Sequence, residues 1–219
     1  MSNEAVANDN KDIPLCVDLD GTLVLTDLLH ESLLSLLKTD PFAAIMIPWV
    51  VYLKGKAGLK RWLAKRTSFE PAVLPYNDDF LNWLVEQREK GRRLILCTAS
   101  DLFFARAIGK HLGFFEEVIA SDGTRNLKGS NKGEALVDRF GEHGFDYAGD
   151  STADLDVWRY SRKAIVVNAS KKLVENVKVL AEVEAIFLGR SFNIACWSEA
   201  FRVHQWLKNA LLFVPLVAA

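Results

Sequence analysis

The sequence predicts an α/β protein in which a doubly wound, Rossmann-like parallel sheet carries an inserted helical cap. Three features support this prediction. Short apolar runs alternate with segments of helical periodicity, as in parallel sheets covered on both faces. Polar residues directly follow three of the apolar runs, at the strand ends where such sheets bind ligands. A leucine-rich stretch, 26–76, interrupts the alternation after the first run and is expected to lie over the strand ends.

The individual elements follow from apolar runs and from residues that begin or end helices. The first run, 13–17, has the length and composition of a buried strand. Asn77 or Asp78 can begin a helix that Gly91 ends, and glycines also end the next two helices at Gly113 and Gly141. The predicted strands are 13–17, 93–98, 117–120, 145–148 and 164–167, and the predicted helices are 78–90, 102–112, 132–140 and 153–160.

The cap segment carries leucines at helical spacing and then an apolar stretch, 41–53, which is too short to span a bilayer. Two interpretations remain open. The stretch can form the core of the cap beneath a solvated basic face. Alternatively, it is an apolar lid whose basic flank receives a lipid phosphate or touches a membrane surface. The basic flank consists of Lys54, Lys56, Lys60, Arg61, Lys65 and Arg66.

Composition excludes several classes of protein. The 219 residues carry a net charge of −1, so the basic surplus of a nucleic-acid-binding protein is missing. The three cysteines are scattered and odd in number, which favours a reducing, cytosolic setting over a disulfide framework. The four histidines show no metal-ligand spacing. Residues 1–11 are polar and acidic, unlike a signal peptide, and are expected to be a disordered lead-in.

Two aspartates follow the first predicted strand in the run Asp18-Leu19-Asp20-Gly21-Thr22. Side chains two positions apart on an extended chain point to the same side, so the two carboxylates are expected to lie together. Like charges this close need a metal ion or a shared proton. The run therefore predicts either a cation and reaction site or, more simply, an aspartate-rich turn.

Further polar positions occur where the predicted fold would bring them to the same edge. Thr98 ends the apolar run 93–98, and Lys132 begins a helix, with Lys128 as a second candidate for that lysine. The run Gly-Asp-Ser-Thr-Ala-Asp at 149–154 places Asp150 and Asp154 after the fourth strand. A place in the first turn of a helix is the simpler explanation for Asp154.

These four motifs, in this order, resemble the haloacid dehalogenase-like (HAD) superfamily over roughly residues 14–169. The resemblance implies that Asp18 attacks a phosphate ester to give an aspartyl-phosphate and that Asp20 acts as general acid and base. Lys132 and Thr98 would stabilise the phosphoryl group, with Gly21 and Ser100 as further substrate contacts. The alternative role for Ser100 is to cap the amino terminus of the next helix. The implied cofactor is Mg²⁺, with ligands from Asp18, the backbone carbonyl of Asp20, Asp150 and Asp154.

The acid at position 20 also indicates which of the activities found in this superfamily the chain has. Dehalogenases of this superfamily lack an acid two residues after the nucleophile, and the related P-type ATPases carry Thr there. Asp20 therefore predicts a phosphatase, with a phosphomutase as the alternative. A non-catalytic docking or regulatory domain is a third possibility, which the complete motif set disfavours.

The carboxyl-terminal stretch resembles the start of UbiA-type membrane prenyltransferases, in which a QWxKN segment precedes the first membrane helix. Here that segment is Gln205 to Asn209. The resemblance implies a HAD–UbiA fusion at the cytoplasmic face of a membrane, acting on a sugar or lipid-linked phosphate. A surface-lying amphipathic helix is the alternative. The expected organisation is a hydrolase domain at 12–190 (core 12–25 and 77–190, cap 26–76) and a linker with the start of a membrane-associated or transmembrane segment at 191–219.

Overall fold

A computed structural model of the protein describes residues 13–64, 66, 69–122 and 125–188. Its six strands form one sheet in the order β3-β2-β1-β4-β5-β6, and every pairing is parallel. The chain thus builds outward from β1 in one direction and then in the other, so the predicted doubly wound α/β sheet is confirmed. The strands are β1 (Leu15–Val17), β2 (Leu94–Asp101), β3 (Glu117–Ser121), β4 (Asp146–Gly149), β5 (Lys163–Val167) and β6 (Glu182–Phe187).

Helices cover both faces of this sheet, with a large apolar cluster on each face. The helices of the described residues are α1 (Leu28–Thr39), α2 (Pro41–Ile45), α3 (Ile47–Ala64), α4 (Asp78–Glu89), α5 (Leu102–Leu112), α6 (Ser130–Phe140), α7 (Leu155–Trp158) and α8 (Lys171–Leu180). Two short 3₁₀ turns, Pro71–Val73 and Thr152–Asp154, complete the elements.

The central strand β1 is short, and its three residues are completely buried. Val17 pairs with Leu96 of β2 on one side and with Ala148 of β4 on the other. This register brings the residues that follow all three strands to the same edge of the sheet. The positions after β1, β2 and β4 are those that the sequence predicts to carry the polar site residues.

The last helix and strand, α8 and β6, are absent from the sequence prediction. Leu173, Val174 and Val177 are buried in α8 at helical spacing. The strand β6 lies at the edge of the sheet, where its residues are exposed or half-buried, so it lacks the continuous apolar run of the central strands.

Helices α1 to α3 lie between β1 and β2 and have an apolar cluster of their own, which includes Leu36, Val50, Leu59 and Leu63. Gly55 interrupts α3 with a positive φ of 64°, which divides it into two helical segments. Within the described residues, no helix combines the length and hydropathy that crossing a membrane requires. The expectations for residues 1–11 and 191–219, including the prenyltransferase-like segment, lie outside the described part of the chain.

A buried ion-pair cluster joins the strands at their amino-terminal ends, opposite the carboxyl ends that carry the polar site residues. Arg92, which is 1% exposed, donates to Asp146 at the start of β4 and to Glu184 of β6. Arg162 also donates to Asp146, as does the backbone N–H of Lys163 at the start of β5. Side chains preceding or starting β2, β4 and β5 therefore share one carboxylate.

We predict that Asp146→Ala lowers the free energy of unfolding by about 3–5 kcal/mol, because it removes the fully buried carboxylate shared by Arg92 and Arg162 and leaves these two guanidinium groups with Glu184 as the remaining carboxylate of the cluster. Urea unfolding measures the change. The matched control is Glu175→Ala, which removes the exposed pair with Lys178 and is expected to cost less than about 1 kcal/mol. Equal effects of the two substitutions would contradict this account of the cluster.

Candidate active site

The ends of β1, β2 and β4 form the centre of the candidate site. The backbone N–H of Asp18 donates to the carbonyl oxygen of Ala148 at 2.9 Å, which fixes the end of β1 against β4. Val17 of β1 pairs with Ala148 of β4 and with Leu96 of β2. Asp18 follows Val17 directly, whereas Asp150 and Thr98 lie two residues after Ala148 and Leu96. Strand pairing thus collects side chains from three distant parts of the sequence.

A buried ion pair joins Asp18 to Lys132 in the first turn of α6. Lys132 Nζ lies 3.0 Å from Asp18 Oδ1, and the lysine is 3% exposed. Burial raises the pKa of Asp18 to about 7 against the opposing effect of Lys132. Burial also opposes the charge on Lys132, but the carboxylates of Asp18 and Asp154 outweigh it and raise the pKa of the lysine. Lys128, the second candidate for this position, is exposed.

Asp154 lies beneath this pair and accepts hydrogen bonds at both carboxylate oxygens. The Tyr147 hydroxyl donates to Oδ1 at 2.7 Å, and Lys132 Nζ lies 3.4 Å from the same atom. The backbone N–H groups of Asp150 and Ser151 and the Ser151 hydroxyl donate to Oδ2. Burial is outweighed by Lys132 and these donors, so the pKa of Asp154 is lowered. These contacts favour a role for Asp154 in orienting the other groups over direct metal ligation.

Asp150 faces Gly21 across the site. Thr22 Oγ1 donates to Asp150 Oδ1 at 3.3 Å, and burial with the nearby charge of Asp154 raises the pKa of Asp150 to about 6. Gly21 has a φ of 80°, and a Cβ atom built on it would lie 2.2 Å from Asp150 Oδ2. The turn after β1 can therefore approach Asp150 this closely because residue 21 has no side chain.

The carboxylates fit a hard divalent cation. Asp18, Asp150 and Asp154 each place one oxygen within 4.8 Å of the others. Lys132 supplies one positive charge against these three carboxylates, so the group carries an excess of negative charge where water is largely excluded. Carboxylate oxygens are the ligands that Mg²⁺ prefers, and a bound divalent cation would balance the remaining charge.

Asp20 points away from this cluster and towards the cap. Its Oδ1 accepts from the backbone N–H of Leu28, the first residue of α1, at 2.8 Å. Its Oδ2 accepts from the hydroxyl of Ser100 at the end of β2. Burial raises the pKa of Asp20 even though both hydrogen bonds oppose the shift. The two aspartates after β1 thus have different partners, which equips them for different tasks.

The remaining predicted residues lie along the end of β2. Thr98 is completely buried, and its hydroxyl accepts from the backbone N–H of Ser100 at 3.0 Å. The residue that caps the amino terminus of α5 is Asp101 and not Ser100. Its side chain accepts a hydrogen bond from the backbone N–H of Phe103. The Gly21 carbonyl accepts from the Asn168 side chain, and the backbone N–H of Gly21 donates to the Val24 carbonyl.

Two residues that support the site were not predicted. Tyr147 lies within β4, where an aromatic residue is typical of a core strand, and only the structure shows its hydroxyl between Lys132 and Asp154. Asn168 follows β5 with a φ of 51° and donates to the Gly21 carbonyl at 2.7 Å. A polar residue after a predicted strand could have identified Asn168 by the same rule that identified Asp150.

The cap closes tightly over the Asp20 side of the site. The cavity between cap and core is lined by Leu28, Ser32, Lys60, Ser100 and Phe104 among others, and has room for about one water molecule. From α3, Lys60 Nζ donates to the Ala99 carbonyl at 3.1 Å. The second segment of α3 is thus attached to the end of β2.

This arrangement agrees with the result of a comparison with known families. The family model for haloacid dehalogenase-like hydrolases matches residues 15–159 of the chain. The chain belongs to this family. The match includes Asp18, Asp20, Thr98, Lys132 and Asp150, and it confirms the HAD part of the sequence-based resemblance.

An uncharacterised protein, y4nM, of Sinorhizobium fredii (strain NBRC 101917 / NGR234) is 39% identical over 209 residues, which are 94% of this chain and 40% of that protein. The chain therefore spans less than half of this HAD relative.

Solved structures share the HAD fold at low sequence identity. A protein of unknown function from Bordetella pertussis Tohama I has a TM-score of 0.58 at 15% identity and covers 79% of this chain and 98% of its own. The apo form of a phosphoserine phosphatase has a TM-score of 0.55 at 15% identity and covers 82% and 95%.

We predict that Gly21→Ala abolishes the rise in melting temperature that Mg²⁺ produces, because the new methyl group must displace Asp150. Gly113→Ala is the matched control, since Gly113 also has a positive φ, of 73°, but open space around it. Thermal unfolding with and without Mg²⁺ measures both variants. The control is expected to lose stability through backbone strain and to keep its response to Mg²⁺. A retained response in Gly21→Ala would contradict the proposed contact.

Proposed function

We propose that the chain is a Mg²⁺-dependent phosphomonoester hydrolase that acts through an aspartyl-phosphate on Asp18. The observation that carries the proposal is that the two aspartates after β1, Asp18 and Asp20, have different partners. Asp18 lies against Lys132 and the acidic cluster, whereas Asp20 is held separately by Leu28 and Ser100. A nucleophile and a proton donor in different environments are what two-step phosphoryl transfer requires.

In the first step, a carboxylate oxygen of Asp18 attacks the phosphorus atom in line with the ester oxygen. A bond forms between Asp18 and phosphorus, and the bond from phosphorus to the ester oxygen breaks. Asp20, in its protonated form, gives its proton to the departing alkoxide. Because burial raises the pKa of Asp20, the proton stays on this carboxyl to higher pH than on an exposed aspartate.

In the second step, Asp20 is a carboxylate and takes a proton from a water molecule that attacks phosphorus. The bond from Asp18 to phosphorus breaks, and inorganic phosphate leaves with the Asp18 carboxylate restored. Lys132 remains beside Asp18 Oδ1 throughout and offsets negative charge on the carboxylate and the phosphoryl oxygens. Thr98, which lies in β2 two residues beyond the pairing of Leu96 with β1, is positioned to donate its hydroxyl proton to a phosphoryl oxygen.

The metal would be held by Asp18 and Asp150, with the Asp20 carbonyl as a further ligand and Asp154 orienting the group. Mg²⁺ bound there would neutralise charge on the phosphoryl oxygens and favour the ionised form of Asp18. The contacts of Asp154 with Tyr147 and Ser151 would keep the remaining groups in place.

We also propose that the substrate is a sugar phosphate or a lipid-linked phosphate and that the domain is fused to a UbiA-type prenyltransferase at the cytoplasmic face of a membrane. The sequence of residues 201–216 supports this proposal, as does the length of the relative from Sinorhizobium fredii, of which this chain spans 40%. The apolar cap, described below, also suits a substrate that is presented at a membrane.

Phosphate release tests the proposed function directly. Wild-type protein is expected to release phosphate from sugar phosphates and from an aryl phosphate with Mg²⁺, and chelation is expected to stop release. Asp18→Asn removes the nucleophile and is expected to lower kcat by at least about a thousandfold. Wild-type protein that returns the phosphoryl group to its substrate would be a phosphomutase. Inactivity on all soluble and lipid-linked phosphates would favour a docking domain.

For Asp20→Asn, we predict a loss that depends on the leaving group. A sugar alkoxide needs a proton to depart, so phosphoenzyme formation from a sugar phosphate is expected to slow by about 10²–10⁴-fold. An aryl phosphate with an acidic phenol needs little protonation, so a rapid-mixing burst of the phenol is expected to persist before turnover stalls. Ser100→Ala is the control for altered positioning of Asp20. Equal slowing of the first step with both substrates would contradict the acid role.

A further inference from the structure

A stripe of large apolar side chains lies exposed on the cap. Its members are six residues of one helical face, Phe42, Ile45, Met46, Trp49, Tyr52 and Leu53. Phe42 and Tyr52 are 81% and 82% exposed, and the least exposed member, Met46, is still at 49%. The spacing of three and four residues is that of one side of a helix. Exposed apolar surfaces of this extent mark sites of interaction.

The stripe is continuous across the junction of α2 and α3. Met46 lies between the two helices with right-handed helical dihedral angles, φ −77° and ψ −10°. The residues from 42 to 53 therefore extend over about 16 Å at the rise of an α-helix. The rings of Trp49 and Tyr52 lie 6.2 Å apart, which places two amphipathic aromatic side chains side by side on the surface.

These side chains are not the core of the cap. That core is formed on the opposite side by Leu36, Val50, Leu59 and Leu63, which are at most 7% exposed. The cap has thus already buried one apolar face, and the stripe is a second one. Of the two interpretations that the sequence left open, the cap-core interpretation does not account for the exposed residues of 41–53.

Charge indicates what the stripe contacts. Residues 41–68 contain six basic residues and no acidic ones, in a chain whose net charge is −1. Such a segment is attracted to an anionic surface and finds few acidic groups of its own to pair with. Aromatic residues with polar edges are enriched where proteins meet the headgroup region of a bilayer. An apolar stripe beside a basic segment is typical of helices that lie in that region.

We propose that this stripe docks the cap onto an anionic lipid bilayer, with the six apolar side chains in the headgroup region. The break at Gly55 separates the stripe from the second segment of α3, which Lys60 attaches to β2 through the Ala99 carbonyl. The membrane would therefore contact the outer segment of the cap, while the inner segment stays packed over the strand ends. The proposal does not rest on the proposed catalytic activity, since docking needs no turnover.

A fluorescent label placed on the stripe tests the proposal. In a Cys196→Ser background, Ile45→Cys carries an environment-sensitive dye, and Val179→Cys carries the same dye as the matched control. Val179 is an apolar residue on the core helix α8 and is at least as exposed as Ile45, at 85% against 73%. The other two cysteines, Cys16 and Cys97, are buried. Both proteins are titrated with vesicles of phosphatidylcholine, with and without phosphatidylglycerol.

The dye at position 45 is expected to shift to shorter wavelength with phosphatidylglycerol vesicles, and the dye at position 179 is not. Raised salt is expected to weaken the effect. Phe42→Ser combined with Tyr52→Ser is expected to raise the lipid concentration at half-maximal shift by at least about tenfold. Val179→Ser is expected to leave it unchanged.

Two results would overturn the proposal. One is a dye at position 45 that stays in water while the protein sediments with vesicles, which would place membrane contact elsewhere in the chain. The other is a shift that depends on protein concentration without lipid, together with a dimer in analytical ultracentrifugation. That result would assign the stripe to a second copy of the chain.

Discussion

The site depends on one balance of charge, that between the buried Lys132 ammonium and the carboxylates around it. Lys132 contacts Asp18 directly and also lies within 3.4 Å of Asp154. Burial opposes the charged form of each of these groups, and the attraction between the lysine and the carboxylates counteracts that effect. Tyr147 and Ser151 add hydrogen bonds that hold Asp154 in place. One lysine does not balance three carboxylates, and the remaining negative charge suits the strand ends to a divalent cation.

Clusters of charged side chains lie at both ends of the parallel strands, and they have different roles. At the edge where the strands begin, Arg92 and Arg162 share Asp146 and leave little charge uncompensated. At the edge where the strands end, the acidic groups outnumber the cation. The first cluster joins strands, and the second keeps an excess of negative charge that a bound cation could balance. Polar groups at both ends, separated by a dry apolar centre, also help to fix the register of the three-residue β1.

The sequence could predict which residues meet at the strand ends, because such residues need only correct strands to be brought together. Asp18, Thr98 and Asp150 each follow or end an apolar run, and parallel pairing places them at one edge. The role of Tyr147 could not be predicted, since its ring packs as a core residue while its hydroxyl donates to Asp154 in the 3₁₀ turn that follows β4. The sequence also could not predict which apolar side of the cap helices is exposed. Apolar residues occupy both sides of the helices at 41–53, so periodicity could not decide which side is buried.

The strand order has a consequence for synthesis of the chain. The central strand β1 is made early, but its partners β2 and β4 follow about 80 and 130 residues later. At about 5–20 residues per second, a ribosome needs roughly 7 to 26 seconds to go from β1 to β4. Until then, the apolar residues 15–17 have no complete sheet in which to be buried, and Asp18 has neither Asp150 nor Asp154 beside it. The acidic cluster of the candidate site can therefore assemble only after Asp154 has been synthesised, more than 130 residues after Asp18.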